Sequence, residues 1–198
     1  NNLALVYEKQ GKYKEAENLH KKALGITKKI LGENHPSIAT NYNNLALVYR
    51  RQGKYEEAEN LHKKALEISK KILGENHSNT TNSYNNLAAV YEKQGKYKEA
   101  EILYKKVLEI NKKIWRENHV DIASNYNNLA LVYERQEKSK IALDYYLKAY
   151  RILFLKFGLQ HPDTQIVYKN IKAVYFKWNP EGNFKEWLEE RMKEDEQK

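Results

Sequence analysis

Asn43-Asn44-Leu45-Ala46-Leu47-Val48-Tyr49 decides the fold, because the same seven residues stand at Asn1 to Tyr7 and again at Asn127 to Tyr133. A close variant, NNLAAVY, starts at Asn85, so the motif returns every 42 residues. Residues 1–42 and 43–84 agree at 31 positions, which is duplication and not chance patterning. A weaker fifth start is visible at Lys169-Asn170-Ile171. A fixed period of this length marks a solenoid, in which no unit buries its apolar face alone and neighbours must stack. The 198 residues therefore divide into repeats at 1–42, 43–84, 85–126 and 127–168. Residues 169–198 form a degenerate fifth repeat or C-terminal capping helix.

Within a repeat the apolar spacing is helical. Tyr42, Leu45, Ala46 and Tyr49 fall at i, i+3, i+4 and i+7 and define a first helix, A. Tyr55, Ala58, Leu61, His62, Ala65, Ile68 and Ile72 define a longer second helix, B. Gly11, Gly53 and Gly95 sit between A and B, where a backbone of positive φ costs glycine least. Pro36 and Pro162 follow the Asn-His and Gln-His ends of the loops after B, and proline suits the first turn of a helix. Small residues at Ala46, Ala58 and Ala65 let A and B approach closely. The expected fold is all-α, a solenoid of antiparallel helix pairs.

Composition narrows the function. The chain is 41% hydrophobic and 31% charged with 3 Pro and 8 Gly, which excludes collagen-like and Pro/Gly-rich disordered chains. With no Cys it has no disulfide framework, thiol nucleophile or cysteine-ligated zinc, and a reducing, cytoplasmic setting is the expectation. No apolar run approaches the roughly 20 residues of a membrane span, so no membrane partner is expected. A formal charge of +9 and a pI near 9.3 favour acidic partners. The first residues, Asn1-Asn2-Leu3-Ala4, stand inside a helix A without a cap, so a preceding repeat is expected.

The order Tyr42, Leu45-Ala46, Tyr49, Gly53, Tyr55, Ala58, Ala65 resembles the tetratricopeptide repeat. The 42-residue period with NNLA, QGKYEEAE and LGENHP is similar to the kinesin light chain-like subclass. The resemblance spans residues 1 to about 168. It implies a right-handed α-solenoid whose A helices line a concave groove, and a non-catalytic interaction scaffold or adaptor. It does not imply association with kinesin.

At about 100° per residue, the side of helix A facing away from Tyr42, Leu45, Ala46 and Tyr49 carries Thr40, Asn43, Asn44, Leu47, Arg50 and Arg51. Down the array this face repeats as the amide pairs Asn43-Asn44, Asn85-Asn86 and Asn127-Asn128, preceded by Asn1-Asn2. Beside it run an apolar stripe with Leu47 and Leu131 and a basic row of Arg51, Lys93 and Arg135. An amide donates and accepts, so a file of them can pair with the backbone of an extended peptide, while the cations select carboxylates. The resemblance adds that residues matching Asn44, Asn86 and Asn128 commonly touch the ligand in tetratricopeptide modules that clamp acidic peptides. The amides could instead bond between neighbouring repeats. Glu8, Glu92 and Glu134 are expected to dilute the basic row, and Arg50 to strengthen it around Arg51 and Lys93.

Helix B presents lysine doublets at Lys21-Lys22, Lys63-Lys64 and Lys105-Lys106 and seven residues later at Lys28-Lys29, Lys70-Lys71 and Lys112-Lys113. These form a solvated face or, alternatively, a phosphate-tracking surface for nucleic acid. His35, His77, His119 and His161 recur once per repeat, too far apart to share a metal, and read as loop-packing residues. No phosphate loop, nucleophile elbow or metal motif is present, so neither an enzyme nor a cofactor is expected. Glu137 takes the turn glycine's place, at roughly 1 kcal/mol if its φ is positive. Phe154 and Leu155 replace a lysine pair, and Phe184, Trp187, Leu188 and Met192 are expected to cover them as a terminal cap, the alternative being a docking patch for another subunit. A further alternative is an oligomerising or autoinhibitory segment of a multidomain signalling protein, and the oligomeric state is left open.

Overall fold

The computed structural model describes residues 2–193. Asn1, the Asn2 side chain and residues 194–198 of the fifth segment lie outside it. Ten helices and no strand occur among the described residues, an all-α repeat solenoid. The chain divides into two compact units, Asn1–Leu103 and Tyr104–Lys198.

The first unit contains α1 (Asn2–Lys9), α2 (Tyr13–Leu31), α3 (Pro36–Arg51), α4 (Tyr55–Leu73), α5 (Ser78–Lys93) and the start of α6 (Tyr97–Ile114). Odd-numbered helices are the A helices of the sequence pattern and even-numbered ones the B helices. The apolar stripe of α3 buries Ile38, Ala39, Tyr42, Leu45, Ala46 and Val48. The matching face of α4 is built from small residues, Ala58, Ala65 and Ser69, around a buried His62. Their lack of bulk lets three helices meet: Ala46 and Ala58 share one apolar cluster with Val90 of α5. Ile38, Ala39, Tyr42 and Ala65 form another, closed by Leu24, Leu61 and Ile68.

The second unit holds the rest of α6, α7 (Val120–Arg135), α8 (Ser139–Phe157), α9 (Pro162–Trp178) and α10 (Phe184–Lys193). Here α8 buries Leu143, Tyr146, Leu147, Tyr150, Ile152 and Leu153, a broader apolar face than α4 offers. The terminal helix α10 docks on α9: Tyr175 meets Trp187 and Phe184 at ring-centre distances of 4.8 and 5.4 Å. This corrects the expected cap. Phe184, Trp187 and their neighbours cover Tyr168 and Tyr175, not the Phe154–Leu155 surface, and Leu155 remains 76% exposed. At 10 residues α10 is short, and Phe154 already stacks on its own helix's Tyr150.

The loops obey the turn chemistry. Gly53 has φ 77° and Glu137 in the equivalent place has φ 60°, the one non-glycine in this region among the described residues. The recurrent histidines have a sharper role than loop packing. His35, His77, His119 and His161 are N-caps whose Nδ1 accepts a hydrogen bond from the backbone N–H two residues on, at 3.1–3.3 Å. Each satisfies one of the orphan donors that begin a helix. With Nδ1 accepting, these rings are held in the tautomer that carries its proton on Nε2.

Candidate functional site

The face of helix A turned away from the core separates into two rows. Thr40, Asn44, Leu47 and Arg51 of α3 form one, at helical spacing, and all four are partly or fully exposed. The corresponding rows are Asn82, Asn86, Ala89 and Lys93 on α5, Ser124, Asn128, Leu131 and Arg135 on α7, and Ile166, Asn170, Ala173 and Lys177 on α9. Among the described residues, Asn44, Asn86 and Asn128 have no side-chain hydrogen bond, and Arg51, Lys93 and Arg135 have no ion pair. Asn170, in the weaker fifth start, and Lys177 continue the amide and basic positions into the fifth segment.

The second row, Asn43 and Arg50, lies about 100° round the helix and faces helix B. Asn43 donates from Nδ2 to Ser83 Oγ of α5 at 2.9 Å, and its Oδ1 lies 2.8 Å from His62 Nδ1 of α4. It is thus a strut joining three helices. Burial, seconded by the nearby Arg50 guanidinium, pushes the His62 pKa down to about 3, so the ring is neutral and donates to Asn43. Two of the three carboxylates expected beside the basic row, Glu8 and Glu134, are turned the same way. Glu8 pairs with His20 at 3.1 Å, and Glu134 accepts from the Tyr146 hydroxyl at 3.0 Å. Glu8 and Glu134 therefore answer helix B and not the exposed row's cations. Asn85 and Asn127 hold the strut's position in the next repeats, each with a buried Oδ1 that has no partner.

A cleft opens between exposed rows in each unit. Between α3 and α5 it measures about 170 Å³ and is lined by Thr40, Asn43, Asn44, Ser69, Asn82 and Asn86 among others. Between α7 and α9 it measures about 420 Å³, with Asn127 and Asn128 set among Val120, Leu153, Phe157, Ile166 and Val167. The candidate residues Asn43, Asn44, Leu47 and Asn86 meet at the first cleft, and Asn127 and Asn128 at the second. Arg51, Lys93, Leu131 and Arg135 lie further along their helices, and Asn85 and Arg50 line neither cleft.

The outer face differs. The leading lysine of each doublet is committed to tyrosine rings of the following helix A: Lys21 and Lys63 lie over Tyr49 and Tyr91 at 5.7 and 5.9 Å. Lys28, Lys70 and Lys112 lie in the same way over Tyr42, Tyr84 and Tyr126. Such cation–π contacts, with the i, i+4 pairs Glu17–Lys21 and Glu59–Lys63 at 2.6 Å, tie these lysines to the scaffold. The same carboxylates reach the next turn, Glu17 accepting from Gln52 and pairing with Lys54, Glu59 accepting from Lys96. Burial raises the Glu17 and Glu59 pKa values, but hydrogen bonds from these partners outweigh it and hold both at about 2.

Among the described residues no group of three or more His, Asp or Glu could hold a metal ion, and no helix is long and apolar enough to cross a membrane. The family profile of the tetratricopeptide repeat matches residues 1–71, 37–113 and 122–163. The chain belongs to the tetratricopeptide repeat family. Arrays of this repeat are scaffolds for protein–protein interaction. Among solved structures, BtubC (BKLC) from P. vanneervenii is 30% identical with a TM-score of 0.77, over 87% of this chain and 69% of that one. A Podosopora anserina putative kinesin light chain with nearly identical TPR-like repeats is 24% identical, TM-score 0.80, over 97% and 89% of the two chains. The apo form of RapI aligns at 18% identity and TM-score 0.73, over 89% of this chain and 47% of that one, a likeness of fold. No curated protein matches the chain.

Proposed function

We propose that the tetratricopeptide units bind an extended, acidic peptide segment along the exposed rows of their A helices. In the first unit Asn44 and Asn86 pair with the peptide backbone, and Arg51 and Lys93 with its carboxylates. In the second unit Asn128 and Arg135 do the same, with Asn170 and Lys177 continuing the pattern. Asn43 reaches the peptide only beside its strut, and Leu47 and Leu131 supply apolar contact between amide and cation. The observation that supports this reading is the division of labour among cations. Arg51, Lys93 and Arg135 are exposed and without ion pairs among the described residues, whereas the leading lysines of helix B cover tyrosine rings. An uncommitted guanidinium two turns along the same exposed row from an uncommitted amide is a ready carboxylate and peptide partner.

The test is the double charge reversal Arg51→Glu/Arg135→Glu, titrated with fluorescein-labelled acidic decapeptide pools. Affinity should fall at least about tenfold, since like charges replace charge-assisted pairs, with far-UV circular dichroism unchanged. Unaltered affinity would remove the basic row from recognition. Tight oligonucleotide binding whose salt slope drops in Lys71→Ala/Lys113→Ala would replace the peptide with a polyanion.

A further inference from the structure

We infer that the cleft between α3 and α5 is a side-chain pocket for a neutral carboxamide, the side chain of an Asn or Gln in the bound segment. This rests on the peptide reading above and adds what the first unit selects. The lining is uncharged and rich in amides and hydroxyls: Thr40, Asn44, Ser69, Asn79, Asn82 and Asn86, with Ala39 and Leu47 as the apolar part of the wall, surround about 170 Å³. That is the volume of about five to six waters at about 30 Å³ each, enough for a short polar side chain and its hydration.

Two features make this a prepared site and not a dent between helices. Ser69 is fully buried, lines the cleft, and its Oγ has no hydrogen-bond partner. The amides of Asn44, Asn82 and Asn86, on two different helices, are likewise without partners among the described residues. Polar groups in such a state are stabilised by a guest that supplies both donors and acceptors.

The chemistry separates the candidate guests. An apolar side chain would shed no polar surface yet leave the amides and the Ser69 hydroxyl unmatched. A carboxylate would surrender hydration without meeting a cation, because Arg51 stands seven residues, about 10 Å, further along α3 than Asn44. A primary carboxamide offers two donors and an acceptor to a wall of amides and hydroxyls. The second unit shows the contrast at the same register. Leu153, Ile166 and Val167 occupy the places of Ser69, Asn82 and Ser83, and the cleft there is apolar.

A positional-scanning library of acidic decapeptides, each pool fixing one residue, tests this on the whole chain by fluorescence polarisation. Pools fixing Gln or Asn at one position should bind about tenfold tighter than pools fixing Leu or Asp there. Asn82→Ile, at an exposed position, should abolish that preference. Ser69→Ala should weaken it while leaving the fold at least as stable, since it removes a buried hydroxyl without a partner. Binding that shows no amide preference, or a preference surviving both substitutions, overturns the pocket and leaves the peptide reading standing. Binding by no pool overturns the peptide reading and the pocket with it.

Discussion

In the first unit Asn43 is clasped between His62 and Ser83; at the same register of the second unit Asn127 has neither clasp. Val167 stands where Ser83 would accept, and Tyr146, in the place of His62, gives its hydroxyl to Glu134. Near-identical helices therefore carry an internal strut in one unit and an open, apolar cleft of about 420 Å³ in the other. A few changes on partner helices, and none in the NNLA motif, reassign what its first asparagine does.

Acid should break the comparison most strongly. The folded pKa of His62, about 3, lies below its unfolded value near 6.5, so its contribution is complete above pH 6.5 and is lost as pH falls towards 3. By pH 4 the loss reaches about 3 kcal/mol. Glu17 and Glu59, held near 2, add to it only below their ordinary value of 4.5. Hydrogen exchange at pH 7 and pH 4.5 should show α3–α5 losing protection before α7–α9, and His62→Tyr should blunt the difference. Equal loss in both units would mean that the buried imidazole is not the sensor.

Removing the asparagines sharpens the contrast. Asn43→Ala leaves the buried His62 Nδ1–H without its acceptor and takes one donor from Ser83, whose hydroxyl still donates to the Asn79 carbonyl, and should cost about 2 kcal/mol, whereas Asn127→Ala should cost less than about 1 kcal/mol. Urea titration of the two variants measures both. Equal penalties would mean that Asn127 is engaged as firmly as Asn43.

The smallest effect lies in the turns. Glu137→Gly relieves about 1–2 kcal/mol of left-handed backbone strain and returns about 0.4–1 kcal/mol to the unfolded chain. A net gain of about 0.5–1 kcal/mol should appear as a higher unfolding midpoint. No gain would mean that the loop around Glu137 already absorbs the strain.

The period, the helix pairs, the glycine turns and the Glu137 anomaly were legible because each depends on spacing along the chain. Asn43 was harder. It sits beside Asn44 on the helical wheel, and only the residues on two other helices decide whether it faces a guest or a neighbour. The pairing of a histidine slot with a serine slot was the available signal, visible only by comparing repeats. Glu8 and Glu134 were misplaced for the same reason, since a long side chain on the border of a face follows its partner. The histidine caps were half legible: their place before each helix A was plain, but an imidazole accepting in place of Ser or Asp was not expected. The apolar spacing of Phe184, Trp187, Leu188 and Met192 is legible in the sequence, but the surface they meet depends on Tyr168 and Tyr175 of a decayed repeat.

The grip of Glu17 on Gln52 and Lys54, repeated by Glu59 on Lys96, has a mechanical side. Each carboxylate latches one repeat to the turn of the next, so tension along the first unit loads latches at the joints as well as the helices. Under load the unit should then yield at its joints before its helices, and because Glu17 and Glu59 are largely buried, salt should loosen those joints only weakly.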